Sequence, residues 1–467
     1  MRAAPALRYL DGEALARVPH LMVDSYAFGS ACLLELSHWP GNKTPLAYRR
    51  DTSTEAVLAW LEDDNAAVPI SALAAASVDH FDIDGLLALW SALNPDEALR
   101  SGRLLTASAE TEDFDRFQDE TALAATLSLL SRERRAAAAV VDAKVSTTAA
   151  FTRALYEALL PEVAQILADP WRLQPHWDAE FRDVMRSRAV LEAKTADAHL
   201  EEWPDVDLAV VISGERLHPY AVHAATERTR ILLLTPGHRP QLSYRYESFV
   251  DLVSRQTAPR LPLKPLGASL NEKEVGGVWI ADGMLTAHPK VQLFANDGGI
   301  APSSLPIPTL IDTVRGYFCA MGATPGAAWR PSQGLGEEAG HLLELDLTPP
   351  SMSVRAERPD DQASATAGSL GCYDALLAAS VTELSVGDED ILVVSDGTSL
   401  RALPKVCPHR GGPLKDALFT PGRAICRWHG SEFDLASGAV LAGPAQCPLE
   451  IRSVLNVDGQ AYISLAK

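Results

Sequence analysis

Two short clusters near the C-terminus hold residue types that do metal chemistry. Cys407-Pro408-His409 comes first, and Cys426-Arg427-Trp428-His429 follows after sixteen intervening residues. Together they offer two thiolates and two imidazoles. Four such ligands suit a tetrahedral zinc site. Scattered structural residues are the bland alternative, although two matched Cys/His pairs flanked by glycines rarely arise by chance.

The surroundings of these pairs favour an iron–sulfur cluster. Gly411-Gly412-Pro413-Leu414 follows the first pair. His429-Gly430-Ser431-Glu432-Phe433-Asp434, Ser437-Gly438 and Gly443-Pro444-Ala445 follow the second. The stretch from about residue 370 to 467 resembles the Rieske family in loop spacing and in these flanking residues. The resemblance implies a small all-β domain. It also implies a [2Fe–2S] cluster with Cys407 and Cys426 on one iron and His409 and His429 on the other. Replacing two thiolates by neutral imidazoles removes negative charge and favours the reduced state, with potentials of roughly −150 to +300 mV. Each imidazole keeps a second nitrogen that can carry a proton. The family's respiratory-chain members have an extra cysteine in each loop, joined as a disulfide. Gly412 and Trp428 occupy those positions here, so that bridge is not expected. Phe433 stands where those proteins have a tyrosine that donates to a ligand sulfur, while Ser431 remains as a donor. Fewer hydrogen bonds to sulfur predict a potential in the lower part of the range. Cys447 reads as a small buried residue, and Cys32, Cys319 and Cys372 read as buried hydrophobes.

A second group lies near residue 80. Val78-Asp79-His80-Phe81-Asp82-Ile83-Asp84-Gly85 precedes the apolar run Leu86–Trp90. His80, Asp82 and Asp84 put three ligands on one loop, as a Mn²⁺ or Mg²⁺ site would need. The pattern resembles the first motif of DHH-type phosphoesterases, which implies His and Asp residues binding two metals that activate water on a phosphate. No Asp-His-His motif accompanies it, and an acidic turn before a helix is the plainer reading. Arg103–Thr106 reads as the next strand, leading into Glu110, Glu112, Asp113 and Asp115, which could add carboxylates. His38 follows Leu33-Leu34-Glu35-Leu36, a strand-to-loop signal, and could join His80.

A third group is Glu215-Arg216-Leu217-His218-Pro219-Tyr220-Ala221-Val222-His223. Its spacing resembles the mononuclear-iron motif of Rieske oxygenases, which would make His218 and His223 iron ligands beside a distant carboxylate. Pro219 would disrupt a helix. The favoured reading is therefore a strand-turn-strand with two polar histidines.

The elements that must position these residues divide the chain. Residues 1–345 mix helices, such as Thr54–Leu61, Gly85–Leu93 and two or more within 120–168, with strands at Leu208–Ile212 and Arg230–Leu234. This is an α/β pattern, and the segment resembles an uncharacterised bacterial family. Residues 346–369 have linker composition, with Pro349-Pro350 and a small polar run. Residues 370–467 hold short strands, with a hairpin signal at Ser395-Asp396-Gly397. The expected fold is thus multidomain: an α/β domain followed by a small all-β Rieske domain.

Composition narrows the function. The 467 residues carry 41 basic and 61 acidic side chains, a net charge of −20, which argues against binding nucleic acid or an anionic membrane. Residues 370–467 contribute eight basic and eleven acidic residues, so most of the excess lies in the larger domain. No apolar run reaches the ~20 residues of a membrane span. Six sparse cysteines suit a thiol-reducing, cytoplasmic setting. The expected role is electron transfer through a [2Fe–2S] cluster, as an oxidoreductase component that serves a redox partner protein or reductase, or its own N-terminal domain. The alternatives are an iron oxygenase on His218 and His223, and a metal-dependent phosphoester hydrolase with a redox module.

Overall fold

The computed structural model describes residues 7–335 and 367–464, apart from 28, 144, 146, 296–299, 325, 387–388, 397, 421 and 458. The expected linker at 346–369 lies outside the described residues up to 366, and so does Gly397 of the expected hairpin. Among the described residues, those within 1–133, 155–295 and 299–347 form one compact unit. Those within 134–154 and 348–467 form a second.

The first unit begins with four strands: β1 (Arg8–Tyr9), β2 (His20–Val23), β3 (Cys32–Leu36) and β4 (Ala75–Ser77). All pair in parallel, in the order β1-β4-β2-β3. Every residue of β2 and β4 is buried, as expected of parallel strands covered on both faces. Helices α1 (Ser53–Leu61), α2 (Ile83–Leu93) and α3 (Pro95–Asp113) follow. Thr52 caps α1 by accepting from the Glu55 N–H, a contact worth about 1 kcal/mol. Arg103–Thr106, expected as a strand, lies inside α3. Pro95 opens that helix at its first position, Asp96 and Glu97 favour the first turn, and Ala98, Leu105 and Ala109 form a buried stripe at helical spacing.

Residues 120–168 contain helices, as expected: α4 (Glu120–Asp142), α5 (Thr148–Leu159) and α6 (Val163–Ala168), followed by α7 (Asp178–Glu192). A six-stranded sheet completes the first unit. It is built from β5 (Ala198–Trp203), β6 (Leu208–Ser213), β7 (Arg230–Thr235), β8 (Arg239–Tyr244), β9 (Val278–Ala281) and β10 (Lys290–Phe294), in the order β5-β6-β7-β8-β10-β9. Only β6 and β7 run in parallel. Helix α8 (Pro219–Ala224) connects them, and α9 (Lys264–Asn271) and α10 (Ile307–Gly322) come later in the unit. The 215–223 segment is therefore not a strand-turn-strand. Pro219 starts a helix at the position where a missing N–H is harmless.

The C-terminal residues form two antiparallel sheets. The larger has the order β11-β20-β19-β14-β13-β12 and the smaller β15-β16-β17-β18. Their strands are β11 (Ala367–Cys372), β12 (Val381–Val386), β13 (Glu389–Ser395), β14 (Leu400–Pro404), β15 (Leu418–Thr420), β16 (Arg423–Ile425), β17 (Glu432–Asp434), β18 (Val440–Ala442), β19 (Arg452–Val457) and β20 (Gln460–Ser464). A short α11 (Tyr373–Ala378) follows β11. One core lies between β12, β13, β14 and the closing strands. A second gathers Leu392, Leu403, Leu414, Phe433 and Leu449 around Cys407 and Cys426. The chain is thus multidomain, with an all-antiparallel domain at its end.

None of the six cysteines forms a disulfide. Cys319 and Cys372 are exposed and Cys32 is half-buried, against the expectation of burial for all three. Cys319 follows Phe318, the buried member of the α10 stripe, and so turns off that face. Cys372 sits at the junction of β11 and α11, outside both cores. No helix among the described residues is long and apolar enough to cross a membrane.

Candidate functional site

Two matching loops present the C-terminal cysteines and histidines. In the first, the Cys407 N–H donates to Gly412 O at 2.8 Å and the Gly411 N–H to Cys407 O at 2.9 Å. In the second, the Cys426 N–H donates to Ser431 O at 2.8 Å and the Gly430 N–H to Cys426 O at 2.9 Å. Gly411 and Gly430 both take φ of 72°, the left-handed turn that closes each loop and that glycine adopts without strain. A Cβ on Gly411 would lie 2.8 Å from Phe151 Cβ, so this position also needs glycine for space. The Thr148 hydroxyl donates to Gly411 O at 2.8 Å, so residues 148–151 brace the first loop.

The loops sort their side chains by burial. Cys407 and Cys426 are each 1% exposed. His409 is buried near the limit and His429 is half-buried, with the two rings edge-on and their centroids 4.8 Å apart. Burial pushes the Cys407 thiol well up, with Cys426 beside it adding to the effect. Cys426 is held lower because Cys407 donates to it. Two buried thiols beside one buried and one half-buried imidazole are a donor set that fits a [2Fe–2S] group. Ser431 supports the thiol side. Its Oγ accepts from the Ala445 N–H at 3.0 Å, which leaves the hydroxyl proton for Cys407. Phe433 is fully buried and offers no hydroxyl there.

The first unit holds the second candidate site. Parallel strands β4, β2 and β3 lie side by side, and their carboxyl ends lead directly into His80, Asp24 and His38. Ligand-binding residues gather at such strand ends in open α/β sheets. His38 Nε2 lies 3.5 Å from Asp24 Oδ1, 3.6 Å from Asp113 Oδ2 and 3.9 Å from Asp84 Oδ2. His80 Nε2 lies 2.8 Å from Asp82 Oδ2 and 3.3 Å from Asp24 Oδ2. One donor atom each from Asp24, His80 and Asp82 lies within 4.8 Å of the others, and the same holds for Asp24, His38 and Asp84. All six residues, Asp113 included, are buried.

The neighbouring backbone fixes these groups. Asp82 caps α2 by accepting from the Gly85 N–H at 2.7 Å. Asp84 accepts from the Ser53 and Thr54 N–H groups at 2.6 and 2.8 Å, at the N-terminus of α1. Burial and the charge of Asp24 push the Asp84 carboxyl up to about 7, with His38 opposing. Asp113 is also pushed up, by burial and then by Asp84 and Asp82. Burial alone would lower His80, but Asp82, Asp24 and Asp79 raise it well above the usual histidine range.

His80, Asp82 and Asp84 thus converge, and His38 joins them. Asp113 arrives from the end of α3. Asp24 went unread in the sequence. Its signal there was a carboxylate placed directly after the wholly apolar end of a strand. Glu110 and Glu112 turn elsewhere: Glu110 accepts from Gln118, and Glu112 accepts from the Ile83 N–H. A cleft of about 440 Å³ includes Asp51 and Phe114 in its lining, and both residues also touch His38.

His218 and His223 lie apart from these groups. His218 Nδ1 accepts from the Tyr220 N–H at 3.2 Å, and its Nε2 lies 3.9 Å from Glu180. His223 Nδ1 lies 3.3 Å from Phe114 O and 3.6 Å from Asp115. Burial and then the charge of Arg245 push His223 well below the usual range. Neither histidine belongs to a three-donor group among the described residues.

Residues 6–326 match a family of unknown function, DUF6687, and residues 372–454 match the Rieske [2Fe-2S] domain. Apoptosis-inducing factor 3 of Homo sapiens is 38% identical over 85 residues, which are 18% of this chain and 14% of that protein. The Mus musculus protein of the same name is 38% identical over 56 residues, 12% of this chain and 9% of its own length. The chain therefore spans only a small part of these curated relatives. Among solved structures, the ferredoxin of carbazole 1,9a-dioxygenase from Nocardioides aromaticivorans IC177 is 24% identical. It covers 21% of this chain and 98% of its own, with a TM-score of 0.20. The terminal oxygenase of the same system is 24% identical over 22% of this chain and 30% of its own, with a TM-score of 0.19.

Proposed function

The chain belongs to the DUF6687 family, and from the Rieske domain that follows the family segment we propose that it is a redox protein passing single electrons to or from a partner. In this reading Cys407, His409, Cys426 and His429 hold a [2Fe–2S] group. When bound, that group takes up and releases one electron at a potential set by its ligands and their hydrogen bonds. The observation that carries the reading is the pair of matching loops, each pairing a core-buried thiol with an imidazole beside it. Cys407 and Cys426 exclude water from the sulfur side. His409 and His429 each keep a ring nitrogen for a proton, so electron uptake couples to pH. The half-buried His429 is where a reductase or acceptor protein would approach. We read the chain as an oxidoreductase component in the cytoplasm, a setting that its sparse cysteines suit.

Anaerobic purification with iron analysis and EPR tests this reading. The expected result is two irons per chain and, after reduction, the low average g-value of mixed His/Cys ligation. Cys407→Ser or His429→Ala should abolish that signal. A reduced signal of all-thiolate type, or zinc in place of iron, would overturn the reading.

The convergence of two histidines and four aspartates in the first unit favours a second reading: a divalent-cation site, with phosphoester hydrolysis as the activity that the His80, Asp82 and Asp84 motif suggests. Manganese-dependent phosphate release that is lost on Asp82→Asn would support it. The oxygenase alternative is the weaker one, because His218 and His223 face different partners.

A further inference from the structure

We propose that this chain covers one of its two cysteine-histidine loops with its own helix and exchanges electrons through the other, residues 427–430, with an acidic one-electron carrier protein. This rests on the electron-transfer reading above and specifies the docking surface and the partner. The two loops match in length and in backbone hydrogen bonds, and Gly411 and Gly430 share a φ of 72°. Their burial does not match. Every residue of 407–412 is buried, whereas 427–430 are all half-buried. The buried set includes Arg410, only 2% exposed, at the loop position that His429 holds in the second loop.

Because the loops themselves match, the difference comes from what lies against them. The start of α5 lies against the first. The Thr148 hydroxyl donates to Gly411 O at 2.8 Å, and Phe151 Cβ fills the place that a side chain on Gly411 would need. Residues 148–151 belong to the same compact unit as both loops. A partner protein would have to displace this helix start to reach the first loop. That face is already occupied.

The second loop meets solvent with an arginine and a tryptophan, the residue types that carry most binding energy in protein interfaces. Trp428 packs on Gly412, where a Cβ would lie 3.0 Å from the indole, so its ring is held in place. The Ala445 N–H donates to Ser431, and Ala442 pairs with Glu432, which sets β18 and the following turn beside the loop. Leu441 of β18 is 44% exposed there. Arg427 makes no ion pair among the described residues. Other cations of this domain are engaged: Arg423 with Glu432 at 2.9 Å, and Lys405 with Glu383 at 3.0 Å. An unpaired guanidinium two residues from His429 complements a carboxylate on the partner, and such complementarity steers docking and fixes its orientation. The net charge of −20 does not decide the matter, because charges beyond ~8 Å are largely screened at physiological salt.

The test is stopped-flow reduction of cluster-loaded, full-length protein by photoreduced plant-type ferredoxin, an acidic one-electron carrier whose potential of roughly −400 mV makes the transfer downhill. Arg427→Glu should slow the second-order rate by about tenfold or more and weaken its dependence on salt. Lys415→Glu, the same charge reversal just beyond the first loop, should change the rate by less than about twofold. Hydrogen exchange with oxidised ferredoxin present should slow across 427–430 and stay unchanged across 407–412. Full EPR intensity after dithionite checks that each variant holds its cluster. Equal slowing by the two reversals, or protection at 407–412, would overturn the single docking face. An Arg427→Glu rate at or above the native one, or no transfer to the native protein, would overturn the acidic partner. Absence of the mixed His/Cys signal from the native protein would instead overturn the electron-transfer reading itself.

Discussion

His80 Nε2 lies 3.3 Å from Asp24 Oδ2, across the carboxyl ends of two adjacent parallel strands. The contact brings together residues that the chain separates by two strands and a helix. It also brings both of them against α2. A Cβ on Gly85 would lie 2.8 Å from the Tyr156 hydroxyl, 3.0 Å from Asp82 Oδ1 and 3.3 Å from Asp24 Oδ2. Alanine is the better helix former by about 1 kcal/mol, so Gly85→Ala should leave helix content intact. It should nonetheless displace both carboxylates and weaken Mn²⁺ binding by about tenfold or more. Calorimetry on the variant checks this, and unchanged affinity would contradict it.

The potential of the C-terminal centre should respond to two neighbouring side chains. Ser431 has its oxygen occupied by the Ala445 N–H and its proton available to Cys407. Ser431→Ala removes that donor and should lower the midpoint. Phe433→Tyr adds a hydroxyl in the same core and should raise it, provided the ring keeps its place. A hydrogen bond worth about 1 kcal/mol corresponds to roughly 40 mV for one electron. Protein-film voltammetry reads both shifts, and a change of the opposite sign in either variant would refute the assignment.

Stability of the first unit should depend on Glu247. Arg245 is fully buried and places Nε 3.0 Å from Glu247 Oε2 and Nη2 2.5 Å from Oε1, while its Nη1 reaches Thr226 O at 2.6 Å. Glu247→Ala leaves that guanidinium buried without a counter-charge and should cost about 3–5 kcal/mol. Chemical denaturation measures the loss. A double change to Arg245→Met and Glu247→Leu should recover part of it, because the isolated charge is then gone.

Acid sensitivity should report on Glu274. Burial alone would raise its carboxyl, but hydrogen bonds from Ser303, Ser304 and the Gly276 and Ser304 N–H groups outweigh it and hold the group down to about 2, from an ordinary 4.5. A depressed carboxyl stabilises the fold above its unfolded value, and that contribution disappears as pH falls toward the folded one. Stability should therefore decline between pH about 4.5 and 2, and Glu274→Gln should flatten that decline while lowering stability at neutral pH. Urea midpoints measured across this range decide the matter, and equal slopes in both proteins would exclude Glu274 as the cause.

The C-terminal centre was legible in the sequence because each half of it is local. Cys407 and His409 share one tight loop, and Cys426 and His429 share another, so spacing and flanking glycines sufficed to find them. The same holds for His80, Asp82 and Asp84, which one loop and one helix start hold together. Local pattern misled where helical periodicity overrode a short apolar run, as at Arg103–Thr106, and where Pro219 began a helix rather than breaking one. Only the tertiary structure could join Asp24, His38 and Asp113 to His80. They come from two different strand ends and from the far end of a helix, and what unites them is the parallel order of β4, β2 and β3. That order is decided by which buried strands pack side by side, and such packing leaves no fixed spacing along the chain.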